Sequence, residues 1–186
     1  MKNARRSVHV CCVLWLACLL VACQPDKGDL LPLAQDGAEI STAIVNGDTA
    51  QISRGNLVVK ARGRWQALES ATDFHLEVGN AGDKALTLDL TQAELVNAQG
   101  ERLRSNVLID EDAQTQPATL IKNGAVELAA RQTRKLGLSF KSAAAVPAAS
   151  AKDFLGKTAT LYLPAENNQT AAPGFKFAFK YVENRY

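Results

Sequence analysis

Beyond residue 38 the chain is dominated by apolar and polar positions that alternate with a period of two, the mark of strands half buried on one face. Thr72 to Val78 places Phe74, Leu76 and Val78 on one side. Asn80-Ala81-Gly82-Asp83 supplies turn residues, and Leu86, Leu88 and Leu90 then alternate again, so the two runs are expected to form a hairpin. Ala93 to Asn97 predicts a short strand, with Leu103 to Ile109 returning antiparallel to it. Ala125 to Leu128, Arg134 to Phe140 and Thr158 to Leu163 predict three more, the last stopping at Pro164. Phe175, Phe177, Phe179 and Tyr181 line one face of a final strand, with Lys176 and Lys180 on the other. Ile40 to Val45 and Asn56 to Lys60 are earlier strands of the same kind. Residues 111–124 and 165–174 read as polar loops, and the Ala-rich stretch around Pro147 as a connection. Ser150-Ala151-Lys152-Asp153 has the form of a capping box, which predicts a single helical turn. Many short strands and no long helical pattern define an all-β, antiparallel sandwich over residues 38–186.

The N-terminus breaks this pattern. Lys2, Arg5 and Arg6 precede an almost wholly apolar run from Val8 to Val21. At about 14 residues the run suits a secretory h-region and is short for a bilayer span. Leu20-Val21-Ala22-Cys23 at its end resembles the lipobox of bacterial lipoproteins. The resemblance implies that residues 1–22 are a signal peptide cleaved after Ala22, and that Cys23 carries a thioether-linked diacylglyceride. Gln24, rather than Asp, follows Cys23, which by analogy favours the outer membrane, with the domain facing the periplasm. Gln24 to Gly37 contains Pro25, Pro32, Gly28 and Gly37, so residues 23–37 read as a lipidated tether. Leu30, Leu31 and Leu33 are apolar enough to dock on the domain, which leaves that boundary open.

Composition sharpens the picture. The 186 residues are enough for one domain with a sizeable core. All four cysteines are Cys11, Cys12, Cys18 and Cys23, so cleavage and acylation leave no thiol for a disulfide, a metal or a nucleophile. The formal charge of +2 includes Lys2, Arg5 and Arg6; without them 18 basic residues face 19 acidic ones. A nearly neutral domain excludes nucleic acid as a general partner.

A second resemblance rests on longer segments. Asn80 ends a strand, Gly82-Asp83-Lys84 turns, Glu94-Leu95-Val96-Asn97-Ala98-Gln99-Gly100-Glu101 follows, and Leu128 to Phe140 closes the pattern. Residues 70–182 thereby resemble the telokin-like, immunoglobulin-like domains of bacterial secreted lipoproteins. Where many of those domains carry Pro-Gly before the Leu-x-Leu-x-Phe strand, here Leu136 to Phe140, this chain has Ala130-Arg131. The resemblance implies an immunoglobulin-like β-sandwich and brings no catalytic residues.

Candidate chemistry is sparse. His75 is the one histidine outside the leader, and alternation puts it opposite Phe74 and Leu76, facing solvent. A lone imidazole makes neither a metal site nor a general base without a positioned partner. Met1 is the only methionine, which excludes a soft copper site. Asp110-Glu111-Asp112 offers hard oxygen ligands without an EF-hand pattern, and a solvated acidic loop is the simpler reading. Asp73 and Glu77 read as solubility residues on a strand's polar face. Arg131, Arg134 and Lys135 form a basic cluster that either meets anionic headgroups or is a solvated strand end. Arg62, Arg64 and Trp65 are expected in a turn and form the candidate binding patch, since Arg and Trp favour hot spots; Trp65 folded back onto the core is the competing reading. No nucleophile elbow or phosphate loop occurs. The expectation is a non-enzymatic binding or accessory module without cofactor or metal, anchored to the membrane through Cys23 and contacting another envelope protein. The alternative is an inhibitor or immunity lipoprotein that plugs a toxin or cell-wall hydrolase with residues 111–124 or 165–174.

Overall fold

The two longest alternating runs frame the molecule. In the computed structural model, β4 (Leu57–Gln66) and β5 (Ala71–Asn80) pair antiparallel over their whole length, from Leu57 opposite Asn80 to Gln66 opposite Ala71. The structure describes residues 27–33, 42–45, 47–66, 71–105, 107–111, 119–121, 124–141, 156–164 and 174–183. The remaining strands are β1 (Lys27–Pro32), β2 (Thr42–Val45), β3 (Thr49–Arg54), β6 (Leu86–Asp89), β7 (Glu94–Val96), β8 (Arg102–Arg104) and β9 (Val107–Asp110). They continue with β10 (Thr119–Leu120), β11 (Ala125–Leu128), β12 (Thr133–Lys141), β13 (Thr158–Leu163) and β14 (Phe175–Glu183).

The fold is all-β and antiparallel, as the alternation requires. The main sheet runs β10-β9-β12-β5-β4-β1-β14-β13-β7-β8, with the β2–β3 hairpin attached beside β4. β3 lines the first half of β4 and β1 the second half, so one edge of β4 serves two partners. β8 and β9 stand near opposite ends of this order, yet only residues 105 and 106 join them. The sheet must therefore curl, and it forms a half-barrel. Ser105 helps to close it: its N–H reaches Ala93 O at 3.4 Å and its hydroxyl reaches Ser139 O at 3.4 Å.

The concave side holds the core. Phe74 meets Phe140 edge-on at 5.9 Å and Phe179 at 5.3 Å. The second, two-stranded sheet of β6 and β11 adds Leu86, Leu88, Val126 and Leu128 to the same cluster. The result is sandwich-like, with one large curled layer and one small one. Each fully buried Phe or Leu contributes roughly 1.5–3 kcal/mol relative to exposure. Gly63 faces inward between strands; a Cβ there would lie 2.5 Å from Leu30 Cδ1 and 2.7 Å from Phe74 Cε1, so the ring and the leucine occupy the space a side chain would need.

Several expectations are corrected. The runs before and after Asn80 are not a hairpin: β5 pairs with β4 and β12, while β6 pairs with β11 in the other sheet. Asn80 itself drives the crossing. Its side chain is 3% exposed, and Nδ2 donates to Lys84 O at 2.8 Å, Ala129 O at 2.9 Å and Leu128 O at 3.3 Å. Its Oδ1 accepts from Gly82 N–H at 2.9 Å, an Asx turn that redirects the chain. On the facing turn Arg131 holds φ 61, the left-handed region that Gly would favour.

Part of the stretch expected to be a tether is a strand. Lys27–Pro32 is β1, inside the main sheet between β4 and β14, with Leu30 fully buried. Pro32, at the strand's last position, is tolerated where a ladder ends. β3 forms where no strand was expected. Leu103 to Ile109 divides: β8 returns along β7 as anticipated, but β9 crosses to β12. Within the expected 111–124 loop, β10 pairs with β9. The helical turn predicted after Ser150 lies outside the described residues. A 3-10 turn stands instead at Leu90–Gln92, where Asp89 caps Thr91 N–H at 3.0 Å. No helix among the described residues is long and apolar enough to cross a membrane.

Candidate functional site

Alternation that sends Val59, Ala61, Leu76, Val78, Leu136 and Leu138 into the core sends their neighbours to the convex face. Register then aligns them in rows. Lys60 stands opposite Glu77, which stands opposite Lys135; Arg62 stands opposite His75, which stands opposite Gly137. The central row is an ion pair, Lys60 Nζ to Glu77 Oε1 at 2.5 Å. Arg62 leans to the other side and meets Asp48 Oδ2 at 2.8 Å.

His75 has a partner after all. Its Nδ1 lies 2.7 Å from Glu111 Oε1, a separation that places the proton between them. Glu111 follows β9, two strands away from β5, and reaches His75 by passing over Gly137 of β12. A Cβ at Gly137 would lie 2.7 Å from the same carboxylate oxygen, so the missing side chain is what lets the two meet. The imidazole remains exposed.

Two open depressions flank the Lys60–Glu77 pair and share both residues. One, of about 370 Å³, is bounded by Val58, Gly79, Asn80, Ala81, Arg131 and Thr133. The other, of about 170 Å³, is bounded by Thr49, Arg62, His75, Leu76, Glu111 and Lys135. Together they make a trough across β4, β5 and β12 that carries both signs of charge. An enclosed, mainly apolar pocket is the usual receptor for a small molecule. An open trough lined by charge pairs suits a polar protein surface, whose own groups can exchange with these ion pairs.

The residues of the sequence-predicted patch are separated. Trp65 lies in β4, not in a turn, because alternation runs unbroken from Leu57 to Gln66. It is 5% exposed and meets Tyr181 edge-on at 6.4 Å. Arg62 and Arg64 project from the opposite face, and Arg64 Nε stands 3.5 Å from the otherwise unsatisfied Asp29 Oδ1. Arg62 alone borders the trough.

The basic and acidic runs meet at one pair, Arg134 with Asp110, while Arg131 and Glu111 find partners elsewhere. Arg131 bonds Asp83 through Nη2 at 2.7 Å and Nε at 3.0 Å. Arg134 pairs with Asp110 and also donates to Glu127 O at 3.3 Å. Of the acidic triplet, Asp110 is thus turned to Arg134 and Glu111 to His75, while Asp112 lies outside the described residues. Among the described residues no three His, Cys, Asp or Glu side chains converge as a metal site. Cys23 and residues 112–118 and 165–173 also lie outside them.

In the core, burial pushes the Tyr181 hydroxyl above its ordinary value of 10.0, and a hydrogen bond with Thr72 offsets part of the rise. The His75–Glu111 pair was not legible in sequence. Alternation marked His75 as outward, but a partner 36 residues away follows only from the β5-β12-β9 register. No protein family, curated protein or solved structure matches the chain.

Proposed function

We propose that the protein is a lipid-anchored envelope protein that acts as a non-enzymatic binding module for another envelope protein. In this reading Cys23 is acylated and holds the domain on the periplasmic side of the outer membrane. The basic n-region, the apolar run and Leu20-Val21-Ala22-Cys23 support the anchor. The trough centred on Lys60 and Glu77 carries the binding reading: its polar groups are already paired with one another, so a partner must offer complementary charges to displace them. Tethering to the membrane raises the effective concentration near membrane-bound partners.

The test is cross-linked co-purification from detergent-solubilised envelopes, followed by mass spectrometry. A stoichiometric protein partner is expected. The double exchange Lys60→Glu with Glu77→Lys keeps the ion pair but reverses its polarity, and should release that partner while leaving the fold intact. A partner retained by the exchange would place the binding surface elsewhere, and no partner at native expression would sink the reading. A hydrolase or toxin as the captured protein would make the module an inhibitor.

A further inference from the structure

The convex face changes character along the sheet. Over β4, β5 and β12 it is laced with ion pairs. Over β1, β14 and β13 it is basic and apolar. β14 turns Lys176 and Lys180 outward, β13 is preceded by exposed Lys157, and Lys176 Nζ lies 5.9 Å from the Tyr162 ring. β1 contributes Leu31, 38% exposed and the exposed large hydrophobic residue of the described chain, directly opposite Lys180 in register. The outward carboxylate among the described side chains of these three strands is Asp29, beside Arg64.

The anchor enters through one of these same strands. β1 begins at Lys27, four residues after Cys23. An extended chain spans at most about 3.3–3.6 Å per residue, so Cys23 cannot be farther than about 14 Å from Lys27. Lys27 is no free end: it pairs with Gln66 inside the sheet. A lipid on Cys23 therefore holds the β1 side of the domain at the headgroup level, within about two Debye lengths of the surface at physiological salt.

We propose that the convex face of β1, β14 and β13 lies on an anionic bilayer surface, with Lys157, Lys176 and Lys180 over the headgroups and Leu31 at the interface. This inference rests on the lipid-anchor reading. The Lys60–Glu77 trough, over β4, β5 and β12, lies outside that contact and stays open to a partner. Each lysine near an anionic surface strengthens association by about fivefold.

Cleavage of the leader leaves Cys23 as the sole cysteine, and acylation blocks it, so single introduced cysteines can be labelled cleanly. The lipidated protein is reconstituted into vesicles of phosphatidylglycerol and phosphatidylethanolamine with a headgroup-attached quencher. A fluorophore is placed by Thr160→Cys on β13 or by Lys135→Cys on β12. Quenching at 160 is expected to exceed that at 135 several-fold, and the excess should collapse in phosphatidylcholine vesicles, in 1 M salt, or in the Lys157→Glu, Lys176→Glu, Lys180→Glu variant. Circular dichroism confirms that each variant is folded. Equal quenching at both positions, or more at 135, overturns the orientation. A mature N-terminus without acyl mass and no vesicle association would instead overturn the anchor reading, and the orientation with it.

Discussion

Glu111 reaches over the bare backbone of Gly137 to set its Oε1 2.7 Å from His75 Nδ1, joining side chains from β9's end and β5 across an intervening strand. Gly137→Ala would put a methyl group 2.7 Å from that oxygen and push the carboxylate off the imidazole. Because the pair is exposed, stability should change by no more than about 1 kcal/mol. Nitrogen chemical shifts of His75 should show loss of the Nδ1 hydrogen bond while the amide spectrum of the core stays in place. An unmoved Nδ1 signal would mean that the carboxylate had never been engaged.

Asn80, at the end of β5 in the main sheet, donates to Leu128 O on β11 of the second sheet and to Lys84 O and Ala129 O in the adjoining turns. Asn80→Ala strips Lys84, Leu128 and Ala129 of that donor and should cost about 2–3 kcal/mol. Asn80→Asp is a sharper test, since a carboxylate keeps the Gly82 acceptor but cannot donate to the carbonyls. Urea denaturation of both variants should show similar losses. A harmless Asp would mean that the turn alone, without the cross-sheet bonds, fixes the crossing.

Leu30 separates a tether from a strand. It is fully buried beside Gly63 in the middle of the main sheet. Leu30→Ala should destabilise by about 2–5 kcal/mol, which for a domain of this size lowers the melting temperature by roughly 2–4 °C per kcal/mol. A tether residue would show no change in a thermal melt.

Tyr181 sets an alkaline limit. Its hydroxyl titrates above 10.0 in the folded state, first because burial disfavours the anion. The unfolded chain therefore loses this proton first. Stability from this group is complete below about pH 10 and falls as pH rises through the folded value, by up to about 1.4 kcal/mol per pH unit. Tyr181→Phe should give up about 1 kcal/mol at pH 8 through its bond to Thr72, yet lose less than the parent as pH rises above 10. Parallel slopes for the two proteins in alkaline denaturation would refute the assignment.

Gly63→Ala tests the core from the opposite direction. The added methyl would stand 2.5 Å from Leu30 Cδ1 and 2.7 Å from Phe74 Cε1. Phe74 is held from two other sides by Phe140 and Phe179, so its ring resists withdrawal. A loss of about 1–3 kcal/mol is expected in chemical denaturation. A neutral result would show that the ring can rotate aside.

Which side chains face the core is legible in their spacing along the chain. Phe74, Leu76, Val78, Leu136, Leu138, Phe140, Phe175, Phe177, Phe179 and Tyr181 are all buried, as the two-residue period demands. Local composition points the wrong way where it conflicts with that period. Arg62-Gly63-Arg64-Trp65 has the glycine and arginines of a turn, yet it continues the alternation of β4. Lys27–Pro32 has the proline and glycine of a tether, yet Leu30 completes the core.

The class of fold and the face each strand presents are written locally in the chain, because a two-residue period is a local property of the pleated backbone. The chain also carries, as one contiguous stretch, the basic, apolar and Leu20-Val21-Ala22-Cys23 pattern that resembles a lipoprotein leader. Which strand lies beside which is set in the folded sheet, since pairing depends on hydrogen bonds between segments far apart in sequence. That choice put β1 at the centre of the sheet, sent β5 and β6 into different layers, and gave His75 its partner in Glu111. A surface histidine, a distant glutamate and a strand glycine carry no mutual signal along the chain; they become one site when the β5-β12-β9 register aligns them.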